Sequence, residues 1–468
     1  MRPLRCLGFA LCTLLPLDGV QALALSPRDS VGQQYAWNLT ALNTYERRED
    51  PIEAGLQRMS VKGAPFGVEE FALTSAIKIS LSGGQKLDDA AKGAWKQLAL
   101  TMPQLMASME GVNKVLRLDD YYNSDDWVSR TVFVDSTAPN ATQLLSSLKP
   151  VNHPVLYIVT ESNELVIRAT HSAIDDHGIH LLWDKFLRAM AQPATIPLVS
   201  QNQLGQKLQP PAYPVAADLA QTTAGDELKA QQILADWAAQ MPTIGVPVSK
   251  AGVVPVGSTR QRSKYSASET SQIIAKAKAN GYSLTEVVHA ALISAAAQMS
   301  NSGAKYVSVV AVDTREFIEQ QFQSTPLPFY ESVWPLVINP TNFFDIATQL
   351  KNFYNGLYTN PETKQLVPPI FENFANLFLA APVTSTDPIL SSIGSLDGIL
   401  QNNYGADIKL QDVWLAADST TPQPIFHLTT FNEEIRLDVT YNQAYHADST
   451  LGQYLQLVRQ ILLQQLQI

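Results

Sequence analysis

Five prolines crowd one stretch of the chain: Pro193, Pro197, Pro210, Pro211 and Pro214, set among Gln, Ala and Ser. Proline fixes φ and has no N–H to donate, so residues 192–220 are unsuited to an interior strand or helix and read as an extended crossover. Regular patterning lies on both sides. From about Leu25 to Met190 short β-like runs alternate with helix-like ones, and similar patterning begins again after the crossover. The chain has 468 residues, 46% of them hydrophobic and 16% charged, enough to bury a core in each of two units. The predicted domains are 25–200 and 255–468, joined by a Pro-rich crossover over 201–254. Mixed strands and helices in both halves indicate α/β or α+β sandwiches. No internal repeat or low-complexity array is present.

The second half carries the clearest local signals. Ser268 is placed to cap a helix that runs through Ala279, Gly281 closes it, and Ser283-Leu284-Thr285-Glu286 is a capping box that opens the next helix. Residues 307–312 form a β-branched run ending at Asp313-Thr314-Arg315, the pattern of a buried strand leading into a polar loop. In residues 433–441, Ile435, Leu437 and Val439 alternate with Arg436, Asp438 and Thr440, which predicts a half-buried strand. Residues 451–466 close the chain as an amphipathic helix.

The amino terminus reads as a secretory signal peptide over residues 1–24. Arg2 and Arg5 precede an apolar run from Cys6 to Leu17, and Ala22-Leu23-Ala24 supplies the small residues of a cleavage site. Cleavage there removes Cys6 and Cys12, the only cysteines, and leaves no disulfide, zinc–cysteine site or cysteine nucleophile. Asn38-Leu39-Thr40 and Asn140-Ala141-Thr142 are glycosylation acceptors, coherent with a secreted or lumenal protein. No later run is long and apolar enough to span a bilayer, since residues 284–299 contain Glu286 and His289. With 33 basic against 43 acidic residues, the net charge of −10 argues against nucleic acid or an anionic membrane surface as partner. A small-molecule substrate remains, and a monomer is expected.

One constellation carries chemistry. Leu165, Ile167 and Ala169 alternate with Val166, Arg168 and Thr170, a strand that delivers His171 at its end. His171-Ser172-Ala173-Ile174-Asp175 then forms a tight loop, and Gly178 starts a helix with Ile179, Leu182, Trp183 and Phe186 on one face. A histidine at a strand-to-loop junction suits a general base, because rigid elements fix the ring while the loop leaves it open to substrate. Asp175 is placed to brace the loop through a cation from elsewhere in the chain, and Arg315 is the candidate.

These residues resemble the HxxxD acyltransferases, which include condensation domains of nonribosomal peptide synthetases, plant BAHD acyltransferases and fungal relatives acting on secondary metabolites. The resemblance covers most of the chain. It takes in His171 and Asp175, the helix after them, the strand with Asp313-Thr314-Arg315, Pro328-Phe329-Tyr330-Glu331-Ser332, residues 392–398, and the early helix and strand over 94–111. It implies a pseudodimer of two chloramphenicol-acetyltransferase-like halves with a tunnel between them and His171 at its middle. It further implies that His171 deprotonates an acceptor hydroxyl or amine, with Asp175 and Arg315 as structural support. Asp176, Tyr330 and Ser332 are expected to contact substrate. No bound cofactor is implied; acyl-CoA or another activated ester would be the co-substrate. Two positions depart from the condensation-domain motif HHxxxDG: Thr170 replaces the first histidine and Asp176 the glycine. A DFGWG segment of the BAHD kind is absent.

Other readings of the same residues are weaker. His171, Asp175, Asp176, His177 and His180 lie within ten residues, but metallo-hydrolase loops of the HxHxDH kind need a histidine where Ala173 stands, so no metal is expected. His180 is read as an exposed helix position, His177 as a loop or helix N-terminal residue, His289 as a buried core histidine, and His427 and His446 as structural. Nucleophile-elbow and phosphate-loop motifs are missing. The alternative to acyl transfer is a repurposed tunnel that guides cyclisation or isomerisation of a hydrophobic metabolite without a donor.

Overall fold

The computed structural model describes residues 33–40, 43–216, 222–249, 253–300, 302 and 304–468. The expected signal peptide, its expected cleavage near Ala24, and both cysteines lie outside the described residues. Two six-stranded mixed sheets dominate, and a small four-stranded antiparallel sheet joins Asn38–Thr40, Thr44–Arg48, Asn113–Arg117 and Ser108–Glu110.

The first large sheet runs Asn403–Tyr404, Ile408–Ala417, Leu73–Leu81, Glu164–Ala169, Val155–Val159, Val132–Asp135. The helices Leu87–Thr101 and Asp176–Ala191 contribute to its core, where Trp95, Trp127, Trp183 and Phe186 are fully buried. Its longest partner comes from the other half. Ile408–Ala417 pairs antiparallel with Leu73–Leu81 from Ile408↔Leu81 to Ala417↔Leu73, so Leu410, Val413 and Leu415 complete the core of the first half. Burying such side chains is worth about 1.5–3 kcal/mol each, which makes the exchanged strand part of the first half's stability. Arg168, on the strand Glu164–Ala169, is fully buried and paired at 2.7 Å with Asp418, just beyond the exchanged strand.

The second sheet runs Glu331–Ile338, Tyr306–Asp313, Ile389–Ser395, Ile425–Phe431, Glu434–Asn442, Ser258–Lys264. Leu284–Ser300 packs with it, and Ala290, Ala291, Ala295 and Ala296 are fully buried, small side chains that let the helix approach closely. The Ser283–Glu286 capping box forms. The preceding helix, however, is capped by Ser266 through a box with Glu269, two residues before the expected Ser268. Glu434–Asn442 is buried on both faces, because Asp438 accepts from Arg260 and Arg262 of the neighbouring strand and so carries its charge indoors. The crossover also holds more structure than its prolines suggest: Ala224–Ala238 is a helix lying against Glu362–Ala380.

A third apolar cluster joins elements from both halves: Ile52, Leu56 and Met59 meet Val309, Phe329, Val367, Phe371, Phe374 and Phe378. The helix Pro51–Ser60 that supplies the first three is fixed by Asp50, which caps it from the N–H groups of Ile52 and Glu53. No helix among the described residues is long and apolar enough to cross a membrane.

Candidate active site

His171 follows the strand Glu164–Ala169 after one residue, Thr170, and starts a single 3-10 turn, His171–Ala173, that leads into the helix Asp176–Ala191. Its Nδ1 lies 3.0 Å from the carbonyl oxygen of Ile174. A carbonyl only accepts, so Nδ1 carries the proton and donates, and the lone pair is on Nε2. The Phe329 ring packs against the imidazole in a T-shaped contact, with centroids 5.3 Å apart and planes at 88°. Nε2 is therefore presented in a set orientation.

Asp175 holds the turn from the other side. Fully buried, it caps the helix through Gly178 N–H at 2.7 Å, accepts from Arg315 at 2.8 Å, and accepts from the backbone N–H of Tyr330 at 2.6 Å. Burial alone pushes its carboxyl pKa up, but the Arg315 guanidinium and the two N–H donors outweigh burial and hold it below the usual value. The helix can close on residues 325–330 only because position 178 is glycine: a Cβ there would stand 2.2 Å from the carbonyl oxygen of Pro326. The expected Asp175–Arg315 pair thus exists and ties the two halves of the chain together. Arg315 also reaches Asp313 at 3.4 Å.

His171 faces a narrow cavity of about 90 Å³ lined from both halves, with Leu56, Met59, Phe371, Phe374 and Phe378 as its apolar wall. Asp176, Glu331, Ser391, Gln423 and His427 bring the polar side chains. Two wider clefts of about 600 Å³ each, one beside Lys96 and Asp125 and one beside Glu49 and Glu372, contain no histidine.

The structure redistributes several sequence expectations. Asp176 lines the cavity; Ser332 borders it, but its side chain, opposite Val312 in the strand register, turns to the core on the other face of the sheet, and Tyr330 stays outside it. Its hydroxyl donates to the carbonyl of Pro210 at 2.9 Å, and its ring lies beneath the Arg315 guanidinium, so it supports the brace instead. The helix begins at Asp176, two residues before Gly178, because Asp175 is its cap. His180 is fully buried rather than exposed; its Nδ1 donates to the Asp176 carbonyl at 2.6 Å, and burial lowers its pKa to about 4. His177 sits in the first helical turn, 3.6 Å from Asp313. His289 is a buried histidine bonded to the hydroxyls of Tyr306 and Tyr354, as expected, and His446 bonds the carbonyls of Pro247 and Pro422.

Two residues at the cavity escaped the sequence reading. His427 was expected to be structural, yet its Nε2 stands 3.7 Å from Asp176 Oδ2. Glu331 is the other: its carboxyl accepts from the backbone N–H of Asp176, and burial with the nearby charges of Asp176, Asp175 and Asp313 pushes its pKa well above the usual range. His171, Asp176 and Glu331 each offer a ligating atom within 4.8 Å of the others. Asn38, one glycosylation acceptor, is exposed; Asn140, the other, caps the short helix Ala141–Leu145 through Gln143 N–H.

Comparison with known proteins bears on the class. No family profile matches the chain. In sequence it is similar to the O-acetyltransferase pigM of Monascus ruber, 23% identical over 92% of this chain and 87% of that one. It is also similar to the acetyltransferase pigO of the same organism, 23% identical over 92% and 98%. In structure it matches the TRI3 trichothecene 15-O-acetyltransferase of Fusarium sporotrichioides with a TM-score of 0.80 at 14% identity, over 92% and 98% of the chains. The condensation domain of the Monacolin K polyketide synthase MokA matches with a TM-score of 0.58 at 9% identity, over 89% and 97%. The fold is the chloramphenicol-acetyltransferase-like α/β fold of condensation domains. The two Monascus ruber relatives are both named acetyltransferases.

Proposed function

We propose that the protein transfers an acyl group from an activated ester, such as acyl-CoA, to a hydroxyl or amine of a small secondary metabolite, with His171 as general base. The observation that carries this is the Nε2 lone pair of His171, oriented by the Ile174 carbonyl and turned to an apolar cavity between the halves. The relatives named as acetyltransferases point the same way.

In this reading donor and acceptor enter the interface from opposite mouths of a tunnel that includes the cavity. Nε2 takes the proton of the acceptor as its oxygen or nitrogen attacks the acyl carbonyl, and the imidazolium then returns that proton to the leaving thiolate or alkoxide. The apolar wall excludes water, which would otherwise compete as acceptor. Asp175 does not touch substrate; it positions the loop through Arg315, Gly178 and Tyr330.

Deleting the gene in the native host identifies the metabolite that accumulates, and incubating it with purified protein, with and without acetyl-CoA, tests the reading. A gain in mass equal to an acyl group, abolished by His171→Ala, is the expected result. Donor-independent conversion to an isomer of equal mass would overturn it in favour of cyclisation or isomerisation.

A further inference from the structure

The turn that carries His171 is held on two sides, and only one of them is the Asp175–Arg315 pair. On the other side, Lys114 Nζ donates to the Ser172 carbonyl oxygen at 2.5 Å and to Glu53 Oε1 at 2.5 Å. Ser172 is the residue after His171 and lies within the same 3-10 turn. Glu53 is itself fixed: Arg47 grips both its oxygens, Nη1 to Oε2 and Nη2 to Oε1 at 2.7 Å each, and the Asp50 N–H donates to Oε2 at 3.2 Å. Burial alone pushes the Glu53 carboxyl pKa up, but Arg47 and Lys114 outweigh burial and hold it at about 2, so the group stays ionised. Arg47, Glu53 and Lys114 are all buried. A second bond follows the same route, since the Ser172 hydroxyl donates at 3.2 Å to Gln57 Oε1, one helical turn beyond Glu53.

Stability alone does not account for this arrangement. Arg47 and Lys114 stand directly opposite each other on the neighbouring strands Thr44–Arg48 and Asn113–Arg117, and like charges so placed destabilise a sheet. Arg47 already pairs both oxygens of Glu53, and taking a further cation out of water is costly. An apolar side chain at position 114 would avoid both costs. What Lys114 adds is a link from Glu53 to the turn. The helix Pro51–Ser60 that carries Glu53 and Gln57 also carries Leu56 and Met59, part of the apolar wall that His171 faces.

We propose that Lys114 is a positioning residue: with Glu53 and Gln57 it fastens the His171 turn to the helix Pro51–Ser60, so that the base keeps a set separation from the apolar wall against which the acceptor lies. Its effect on rate rests on the acyl-transfer reading above; its hold on the turn does not. Lys114 does not line the cavity and acts through Ser172, whose peptide is joined to His171. Asp175 secures the turn to the second half of the chain, and Lys114 secures it to the first. Displacing a reacting group by about 1 Å costs on the order of a hundredfold in rate, which gives such a brace its value.

Lys114→Met and Lys114→Arg test the brace. Methionine has a similar length and leaves Glu53 paired with Arg47, so the fold should persist; arginine keeps the charge and the donors, and a space of about 20 Å³ beside Lys114 and Ala173 accommodates it. Hydrogen–deuterium exchange read by mass spectrometry needs no substrate. In Lys114→Met the amides of residues 171–175 should exchange on the order of tenfold faster than in the parent, with the two large sheets unchanged, while Lys114→Arg should follow the parent. With acetyl-CoA and the metabolite found by gene deletion, kcat of Lys114→Met should fall by about tenfold to a hundredfold while KM stays within about threefold, because the wall that binds the acceptor is intact. Lys114→Arg should recover most of that rate. Parental exchange over the turn in Lys114→Met, parental kcat, an equal loss in Lys114→Arg, or failure of Lys114→Met to fold would each overturn the inference. If the parent acylates nothing, the acyl-transfer reading fails and the exchange comparison by itself decides the brace.

Discussion

Replacing Asp175 with alanine removes three interactions at once: the 2.8 Å ion pair with Arg315, the helix cap on Gly178, and the acceptor for Tyr330 N–H. Breaking a buried pair by deleting one partner costs about 3–5 kcal/mol, because the survivor keeps its charge indoors. Arg315 retains Asp313 at 3.4 Å on its more exposed side, which places the pair near the low end. Loss of the cap adds about 1 kcal/mol, for a total of about 4 kcal/mol. Unfolding entropy of about 2.1 cal/mol/K per residue over 468 residues is about 1 kcal/mol/K, so the melting temperature should fall by about 4 °C. Differential scanning calorimetry of parent, Asp175→Ala, Asp175→Asn and His171→Ala gives the comparison. Asp175→Asn keeps a capping oxygen and should fall between parent and alanine variant, whereas His171→Ala should melt within about 1 °C of the parent, since it loses only one local hydrogen bond. Activity should fall in Asp175→Ala as well, because the turn that aims His171 is no longer braced. If Asp175→Ala melts like the parent and keeps its activity, the pair neither secures the loop nor joins the halves.

His171→Ala should lower kcat/KM by about 10²–10⁴ with little change in substrate affinity, measured on the metabolite found by gene deletion. Glu70 supplies a pH test. Burial outweighs the N–H and hydroxyl it accepts from Thr420 and raises its pKa to about 7. The folded state therefore favours the protonated form, a contribution that is complete below the ordinary pKa of 4.5 and lost as pH rises to about 7. Glu70→Gln should consequently gain on the parent by on the order of 3 kcal/mol between pH 4.5 and pH 8 in urea unfolding; parallel stability curves would refute the argument. Asp175, held below its usual value, works in the opposite direction, and its contribution should disappear only in acid, below about pH 4. Mass spectrometry of protein from the native host should find a chain beginning near residue 25 with glycan on Asn38 or Asn140; an intact, unmodified chain would show that the export signal is not read.

The strand–turn–helix around His171, the Ser283 capping box and the strand ending at Asp313 were legible in the sequence, because each is specified by neighbours a few residues apart. Periodicity assigns an element and one apolar face; cap chemistry marks its ends. The same local logic misplaced the cap at Ser268 and took the helix start to be Gly178, since Ser266 and Asp175 are distinguished only by which side chain reaches the free N–H groups. The site drew on more than local pattern. Tyr330 and Ser332 stand two apart and look equivalent in the sequence, but the Asp175 carboxylate captures the Tyr330 N–H and Pro210 its hydroxyl, while Ser332 pairs opposite Val312 and turns to the core, leaving Glu331 between them at the cavity. Glu331 and His427 reach the site from strands whose polar residues, read alone, would face solvent.

What the sequence determined by itself was a few elements written in local pattern and the loop that presents His171. Tertiary structure decided which half owns the strand Ile408–Ala417, which carboxylates meet His171, and that Arg168, His180 and Asp438 are buried. The physical reason is range. Propensity, capping and periodicity act over one or two turns of chain, whereas strand pairing and the bonds of buried charged groups join residues as far as 350 positions apart, as between Glu70 and Thr420, and depend on the free energy of the whole packed arrangement.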